Sequence, residues 1–317
     1  MLFDLPDFTK NEEMELGTPS VNAFPAITEW RPICKTPCLS VNFIPSMKEY
    51  FLNHWRIQVI PPIAVSFIIY SSYIIYMIIH SFYLQHDYHL KILMTVLMLL
   101  FVISYYSIIL EGPGYLPFYY PLKMAKRKGN HSDYLAGVVS TKMQEAYVSG
   151  QKVPTRVNYF KSARRYVIRP DHFCGWTGSF IGKKNHKLFF TFNFWGSIYI
   201  ALFTIFSYFS VRVQTNIFNN NAFFLAISII YILLGLFFFL MTFNFAILSL
   251  VRFANNKTQF ELMKKQEGHP FRRSCIENFE DVCGPRKYMF LWLFPIGAFH
   301  GVPDEDLLYA STTVDIL

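Results

Sequence analysis

Three residue types that together support nucleophilic catalysis lie within four consecutive positions, Asp171 to Cys174. A thiolate is the attacking form of cysteine, and a free thiol is mostly protonated near neutral pH. An imidazole such as that of His172 can take the proton, and a carboxylate such as that of Asp171 can orient the imidazole and stabilise its charge. Cys174 is therefore the candidate nucleophile, His172 the candidate general base and Asp171 its orienting partner.

The local sequence bears on whether these side chains can meet. Neighbours in sequence do not converge on a regular helix, but Pro170 disfavours helix at Arg169 and favours a turn. Arg165 and Arg169 lie just upstream, and their guanidinium groups would favour a thiolate or bind the phosphates of an anionic substrate. The alternative interpretation is a surface Asp and a surface His beside an inert Cys, because Cys–His proximity alone is a weak signal.

The composition of the chain is that of a membrane protein. Of its 317 residues, 53% are hydrophobic and 19% are aromatic, with 34 Phe and 20 Tyr. Charged residues make up only 16%, against about 25% in an average soluble domain. The 5 cysteines are unpatterned, which argues against a disulfide framework and suits a reducing compartment.

Four apolar segments are long enough to cross a bilayer, which takes about 20 residues. They cover residues 59–79, 92–110, 188–211 and 223–251. We therefore predict an all-α integral membrane protein with four transmembrane helices and a cytosolic catalytic loop domain between spans two and three. The predicted order is a cytosolic N-terminal segment (1–56), spans one and two (57–110), the catalytic domain (111–187), spans three and four (188–251) and a cytosolic tail (252–317).

The distribution of Lys and Arg predicts the orientation of the spans. Fourteen lie in the loop 111–187 and eight in the tail after residue 251, whereas the two short connections offer only Lys91 and Arg212. We therefore expect a multi-pass protein with cytosolic N- and C-termini, in the plasma membrane or an endomembrane. A nucleophile at the lipid–water boundary, flanked by basic residues, suits transfer of a fatty acyl group from its coenzyme A thioester.

The motifs around these residues resemble those of the DHHC protein S-acyltransferases, or palmitoyltransferases. The resemblance covers about residues 55–300 and includes the motifs that follow the second and fourth spans. The catalytic pattern of that family corresponds here to Asp171, His172, Phe173, Cys174, Gly175 and Trp176, followed by Gly182, Asn185 and Phe189. The remaining motifs correspond to GPG at 112–114, Thr258 to Glu261, Asn278 to Gly284 and FLWLFPIG at 290–297.

The resemblance implies a protein S-palmitoyltransferase with a two-step cycle. Palmitoyl-CoA would load Cys174 as a thioester, and a membrane-proximal cysteine of a protein substrate would then take the chain. Trp176 and Phe189 would line the acyl chain, with an interfacial anchor and plain span packing as their alternative roles.

Two residues of the predicted tail also take roles from the resemblance. Thr258 and Asn278 would tie the tail to the catalytic loop, and helix-end capping is their alternative role. For Glu261, a solvated charge is the more ordinary interpretation.

The chain departs from the family where the family binds two zinc ions in a Cys-rich domain. The residues at the ligand positions do not bind zinc well, a pattern that resembles a fungal branch of the family with a degraded Cys-rich region. We predict that no metal is bound and that aromatic side chains form a small core there instead, each buried ring contributing about 1.5–3 kcal/mol. The positions are Tyr159, Phe160, Ala163, Tyr166, Phe173 and Phe180, with the first pair near Ala146 and Ser149.

Two other functions compete with an active transferase that uses acyl-CoA as co-substrate and no other cofactor. An inactive family member acting as a membrane adaptor would account for the missing zinc ligands, but not for the retained Asp171, His172 and Cys174. A small transporter or channel would need ionisable residues in its spans, and these are nearly absent, with His80 at an edge. Nucleic acid is a poor partner for a multi-span chain, whereas the basic run at 123–128 suits membrane lipids with anionic headgroups.

Overall fold

The computed structural model describes residues 31–35, 40–44, 49–52, 55–115, 155–160, 165–217, 222–265, 267–302 and 307. The first elements form an antiparallel sheet whose strands pair in sequence order. Directly after the sheet, Gln58 donates its backbone N–H to the Gly178 carbonyl at 3.3 Å. The sheet therefore lies next to the loop that follows Cys174. Its strands are β1 (Arg31–Lys35), β2 (Ser40–Ile44), β3 (Glu49–Leu52) and β4 (Trp55–Ile57).

Within the described residues, four helices are long and apolar enough to cross a membrane, which confirms the four predicted spans. The protein is thus a multi-pass membrane protein. Helix α1 (Ile60–Ile75) continues through a π-helical stretch (Tyr76–His80) and one further turn (Ser81–Tyr83). The others are α2 (Tyr88–Glu111), α3 (His186–Ile217) and α4 (Ala222–Asn255), all longer than the apolar segments that predicted them.

Close packing of helix α3 against its neighbours forms the centre of the bundle. The ring of Phe192 stacks on Phe101 of α2 with 5.0 Å between centroids. A Cβ atom at Gly196 would come within 2.5 Å of the Phe101 ring, so the glycine permits this approach. On the other side of α3, a Cβ atom at Gly235 of α4 would overlap the hydroxyl of Thr204. Small residues thus let three helices meet closely, as is common between membrane helices.

Two short hairpins lie between the second and third spans and correct the all-α prediction. Strands β5 (Val157–Phe160) and β6 (Arg165–Ile168) pair, as do β7 (His172–Cys174) and β8 (Ser179–Ile181). An isolated bridge joins Tyr115 to Val167, so the start of this loop lies against β6. Strands of three or four residues are too short to show an alternating pattern, and the sequence analysis therefore missed them.

The chain after α4 packs back onto the bundle. It forms α5 (Gln259–Met263), α6 (Cys275–Cys283) and a 3₁₀ helix (Arg286–Leu291). Lys187 at the start of α3 donates to the carbonyls of Leu291 and Ile296 at 2.9 and 2.8 Å. The indole N–H of Trp195 donates to the Leu293 carbonyl at 2.7 Å. The tail is thereby fixed to the third span.

Candidate active site

Strand β7 places His172 and Cys174 on one face. Side chains alternate along a strand, so residues two apart point the same way. The intervening Phe173 points away and remains 38% exposed. Arg169 has φ 47°, a left-handed conformation that turns the chain before Pro170 and into the strand. The turn and the strand therefore let these residues meet, although neighbours in sequence would not converge on a regular helix.

The Asp171 carboxylate lies at the centre of a buried polar cluster. Nδ1 of His172 donates to its Oδ2 at 2.8 Å, and the guanidinium of Arg252 lies 3.3 Å from the same oxygen. The other oxygen, Oδ1, accepts the backbone N–H of Gln259 at 2.7 Å and lies 3.7 Å from Nε2 of His186. Asp171 is fully buried. It therefore joins the catalytic hairpin to α3, α4 and α5 through a single side chain.

These contacts determine the charge of the Asp171–His172 pair. Burial alone would raise the pKa of the Asp171 carboxyl, but the neighbouring His186, the hydrogen bond from His172 and the Arg252 guanidinium hold it well below its usual range. Burial alone would lower the pKa of His172, but its hydrogen bond to Asp171 and its interaction with Cys174 raise it to about 9. An ionised Asp171 thus stabilises a protonated imidazole.

Two buried cysteines differ in the pKa of their thiols. Burial alone would raise the pKa of Cys174, but hydrogen bonding and charge interaction with His172, together with hydrogen bonds from Thr177, lower it. In contrast, burial raises the pKa of Cys283 to about 12. Cys174 therefore has the properties of a nucleophile and Cys283 those of an inert core thiol.

An apolar cavity opens among the four helices beside this hairpin. Trp176, two residues after Cys174, lines it and packs edge-on against Phe238 at 5.7 Å. The cavity extends down α3 from Phe192 to Phe203. This separation of eleven positions corresponds to about 16 Å along the helix at 1.5 Å per residue. Its walls also include Val65, Ile69, Phe101, Ile200, Leu234 and Met241.

Two tyrosine–serine pairs lie at the far end of the cavity from Trp176. The hydroxyls of Tyr199 and Ser72 lie 3.0 Å apart, and the Tyr231 hydroxyl donates to Ser71 at 2.7 Å. Both pairs connect α1 with a helix across the cavity. The cavity is thus bounded by polar contacts at its deep end and by Trp176, two residues after the candidate nucleophile, at the other.

Comparison with known proteins shows which family the region around the hairpins resembles. The DHHC palmitoyltransferase family model matches residues 142–266, which include the hairpins, the third and fourth spans and α5. This region of the chain is similar to the DHHC palmitoyltransferases, and its curated relatives bear the same similarity. Its relatives come from both plants and fungi, so the comparison agrees with the predicted family and extends beyond its fungal branch.

Three relatives illustrate the extent of the similarity. Probable protein S-acyltransferase 13 of Arabidopsis thaliana is 25% identical over 212 residues, which cover 63% of this chain and 69% of the relative. Probable protein S-acyltransferase 14 of the same plant is 26% identical over 231 residues, covering 68% and 73%. Palmitoyltransferase PFA3 of Debaryomyces hansenii is 26% identical over 172 residues, covering 45% of this chain and 41% of the fungal protein.

Arg169 occupies a position unlike that expected of a phosphate ligand. Arg169 is buried, donates to Asn256 at 2.9 Å and lies 3.9 Å from Asp281. It is held among protein groups, which corrects the expectation that it binds the phosphates of coenzyme A. The side chain of Arg165 falls outside the described residues, and its predicted role stays a prediction.

The two predicted tail residues hold helix ends. Thr258 caps α5, accepting the Glu261 N–H while the Glu261 carboxylate accepts the Thr258 N–H. Asn278 donates to the carbonyls of Ala254 and Arg273 and therefore ties α6 to the end of α4. Within the described residues, neither side chain makes a hydrogen bond to the β7–β8 hairpin. The link from tail to hairpin comes instead from Gln259 and Arg252, through Asp171.

Glu261 is a buried ion-pair partner rather than the solvated charge that its sequence context suggested. It is 7% exposed. Its carboxylate accepts two hydrogen bonds from the Arg156 guanidinium, at 2.6 and 2.9 Å. Arg156 also donates to Asn256 at 2.9 Å. The β5–β6 hairpin is thus fixed to the tail by a paired and hydrogen-bonded charge.

The sequence analysis expected Trp176 and Phe189 to line the acyl chain, and the structure gives the two residues different surroundings. The Phe189 ring packs edge-on against His172 at 4.9 Å and is buried. It is absent from the cavity lining, whereas Trp176 is part of it. Phe189 therefore supports the imidazole, and Trp176 is the one of the two that borders the cavity.

The sequence analysis missed His186, Arg252, Gln259 and Tyr105. Arg252 follows an apolar segment in the sequence, and it counted only among the basic residues that predict the orientation of the spans. Gln259 contributes its backbone N–H, which no side-chain pattern reveals. The Tyr105 hydroxyl donates to the Trp176 carbonyl at 2.7 Å, a contact between residues 71 positions apart. The position of His186 directly after Asn185 of a family motif was the one signal that could have been used.

The residues at the zinc positions of the family do not fit a zinc site. The Phe160 ring packs against Phe180 at 4.5 Å and against Phe260 at 4.9 Å, and Phe173 packs against Phe180 at 5.4 Å. No group of three His, Cys, Asp or Glu side chains that could hold a metal ion is found among the described residues. Apolar rings supply no ligand atoms for zinc.

Proposed function

We propose that Cys174 carries an acyl group from acyl-CoA to a cysteine of a protein substrate. This assignment gives the S-acyltransferase activity of the family its nucleophile. The observation that supports it is an activated thiol two residues before Trp176, which lines an apolar cavity among membrane-spanning helices. An inactive adaptor would not need a thiol with a lowered pKa beside an ionised His–Asp pair.

In the loading step, the Cys174 thiolate attacks the carbonyl carbon of the acyl-CoA thioester. The new bond joins Sγ to that carbon, and the bond between the carbon and the coenzyme A sulfur breaks. The departing thiolate takes the proton of the His172 imidazolium and leaves as coenzyme A thiol. His172 ends the step neutral, still oriented by Asp171 through the 2.8 Å hydrogen bond.

In the transfer step, neutral His172 accepts the proton of the substrate thiol. The substrate sulfur attacks the acyl carbon, and the bond to Sγ of Cys174 breaks. Cys174 leaves as a thiolate beside the newly formed imidazolium. This restores the starting ion pair, because the proton gained from the substrate equals the one lost to coenzyme A.

The cavity is proposed to hold the acyl chain. An apolar chain entering it leaves water, which favours binding by about 0.8 kcal/mol per buried CH₂ group. The Tyr199–Ser72 and Tyr231–Ser71 pairs would set the longest chain that fits. Palmitate is therefore the proposed class of chain, with its length limited at these residues.

The catalytic domain is proposed to fold without zinc. The ring cluster of Phe160, Phe173, Phe180 and Phe260 takes the place of metal in holding the two hairpins together. The Arg156–Glu261 pair adds a polar connection from the first hairpin to the tail. No step of the cycle above requires a metal.

The proposed surroundings are a bilayer whose cytosolic leaflet meets the hairpins and the tail. The basic residues of 111–187 and 252–317 favour this orientation, with both termini cytosolic. Exposed apolar residues of the tail, including Phe290 and Phe294, would contact lipid at this face. Protein substrates would then present cysteines close to the membrane surface.

In-gel autoacylation tests the proposed function. Purified protein is incubated with alkyne-tagged palmitoyl-CoA, and wild type is compared with Cys174→Ser before and after neutral hydroxylamine. A hydroxylamine-sensitive signal that is absent from the variant is expected, because a thioester is cleaved under these conditions. Equal labelling of the two proteins, or no labelling of well-folded wild type, would support the adaptor function instead.

A further inference from the structure

His186 is a buried imidazole for which the acyl-transfer chemistry described above has no use. It is the first residue of α3, is fully buried and packs edge-on against Phe253 at 4.9 Å. Within the part of the chain that the structure describes, neither of its ring nitrogens has a hydrogen-bond partner. Burying a polar group without a partner is unfavourable. An apolar residue would fill this position at lower cost if packing were its only role.

One group near His186 can accept the hydrogen bond that its buried imidazole lacks. Nε2 lies 3.7 Å from Oδ1 of Asp171, and an inward movement of about 0.7 Å would give an ordinary hydrogen bond. Oδ2 of the same carboxylate holds His172 and Arg252. Asp171 therefore lies between two imidazoles, one on each oxygen. The charged or titratable groups that act on His186 are Asp171, Arg169, His172 and Arg252.

We propose that His186 is a positioning residue for the acyl-transfer reaction, donating Nε2–H to Asp171 Oδ1. The inference rests on the proposed function, because it assigns His186 to the same catalytic pair. The second hydrogen bond would fix the plane of the carboxylate and keep it ionised while His172 gains and loses its proton. A carboxylate that is firmly held and ionised stabilises the imidazolium, and the imidazolium stabilises the Cys174 thiolate.

The backbone amide of Gln259 makes the geometry more restrictive. It already donates to Oδ1 at 2.7 Å. A carboxylate oxygen can accept two such bonds. With His186 closed onto it, every oxygen of Asp171 would carry two donors, and the side chain could not rotate away from His172.

A matched pair of variants in the full chain separates positioning from packing. Met and Gln have similar shapes, but Gln retains an N–H donor that can reach Oδ1. For His186→Met and His186→Gln in lipid nanodiscs, the rate of Cys174 alkylation by iodoacetamide is measured from pH 5 to about 10, a range that brackets the ordinary thiol pKa. Autoacylation at neutral pH is measured on the same samples.

His186→Met is expected to shift the alkylation midpoint upward by about one pH unit and to slow autoacylation about tenfold. His186→Gln is expected to remain within about twofold of wild type, because it restores the donor. Equal behaviour of the two variants, whether both unchanged or both impaired, would overturn the proposal in favour of packing. If His186→Met does not yield monodisperse protein, His186→Phe is used in its place. It is compared with His186→Gln by the same two measurements.

The alkylation measurement also keeps the two proposals apart. It reports the Cys174 thiolate directly and does not require acyl transfer. A protein that alkylates as expected yet fails to autoacylate would contradict the proposed function alone. A protein that autoacylates with both variants equally active would contradict the role of His186 alone.

Discussion

The hydroxyl of Tyr105 donates a 2.7 Å hydrogen bond to the backbone carbonyl of Trp176. This contact fixes the loop after Cys174 to the second membrane span. Trp176 lines the cavity and lies two residues after Cys174. The position of Cys174 relative to the cavity is therefore fixed in part by Tyr105, a residue of the second membrane span that lies outside the β7–β8 hairpin.

Tyr105→Phe should slow autoacylation while leaving the fold intact. The change removes only the hydroxyl and leaves the Trp176 carbonyl without its donor, which costs roughly 1–2 kcal/mol. We expect the rate to fall roughly 5- to 30-fold. Initial rates with tagged palmitoyl-CoA provide the measurement. Tyr106→Phe is the matched control, because the Tyr106 hydroxyl bonds to Ser66 away from the site, and its rate should match wild type. An unchanged rate for Tyr105→Phe would show that this hydrogen bond does not position the loop.

The four spans and the grouping of Asp171, His172 and Cys174 were predictable from the sequence because each depends on local residue types. An apolar run of sufficient length can hardly form anything but a span, and Asp171, His172 and Cys174 are adjacent in the chain. The cluster around Asp171 was not predictable in the same way. His186, Arg252 and Gln259 reach it from three separate elements, and such convergence depends on packing that a single sequence does not reveal.

The predicted role of Arg169 shows how a motif can mislead. A basic residue beside a nucleophile suggested phosphate binding, because charge is visible in a sequence and burial is not. Its left-handed backbone turns the guanidinium inward to Asn256 and Asp281. Conversely, the sequence alone showed that Phe residues occupy zinc positions of the family. A phenyl ring offers no ligand atom to a metal, and this does not depend on how the chain folds.

The reactivity of the Cys174 thiol should depend on pH through its ion pair with His172. The pKa of Cys174 is lowered and that of His172 is raised to about 9. The thiolate–imidazolium pair therefore prevails above the thiol pKa and below about 9. Alkylation of Cys174 should rise with pH and level off below the ordinary thiol pKa of about 8.5. Mass spectrometry of the Cys174 peptide measures this, with the exposed Cys275 as an internal reference for reagent and recovery.

His172→Gln should move the alkylation midpoint upward. Without the imidazolium, the main remaining influence on Cys174 is burial, which raises the pKa of its thiol. The midpoint should therefore pass above the ordinary value of about 8.5. If the variant and the wild type had the same midpoint, His172 would not be the group that activates Cys174.

Chelation should leave both stability and activity unchanged. Under the proposal that the ring cluster holds the hairpins in place of zinc, a chelator has no structural metal to remove. Melting temperature and autoacylation are compared with and without a strong chelator, and bound zinc is measured by elemental analysis. One zinc ion per chain, or loss of activity with the chelator, would contradict the aromatic-core hypothesis.

Phe180→Ala should destabilise the catalytic domain strongly. Phe180 is buried and contacts the rings of both Phe160 and Phe173. Truncating such a ring leaves a cavity and costs about 3–5 kcal/mol. Thermal unfolding should show a marked fall in melting temperature. Phe290→Ala provides the control, because Phe290 is 69% exposed and its truncation should change little. Similar effects of the two substitutions would mean that the ring cluster does not hold the hairpins together.

Tyr199→Ala should shift the preferred acyl chain toward greater length. The Tyr199 side chain lies at the deep end of the cavity and is joined to Ser72 at 3.0 Å. Removing it deletes a large side chain and the hydrogen bond that closes the helices there, so a longer chain can enter. Competition between tagged acyl-CoA esters of 14 to 20 carbons, chosen to bracket the ~16 Å depth expected from the helix rise, measures the selectivity.

Tyr199→Phe separates volume from hydrogen bonding in the same assay. It keeps the ring and removes only the hydroxyl, so the space at the end of the cavity is nearly unchanged. If side-chain bulk limits the chain, Tyr199→Phe should retain the wild-type preference while Tyr199→Ala accepts longer esters. If both variants shift equally, closure depends on the Ser72 hydrogen bond and the helices separate without it. If neither variant shifts the preference, the acyl chain does not reach Tyr199 and ends closer to Trp176.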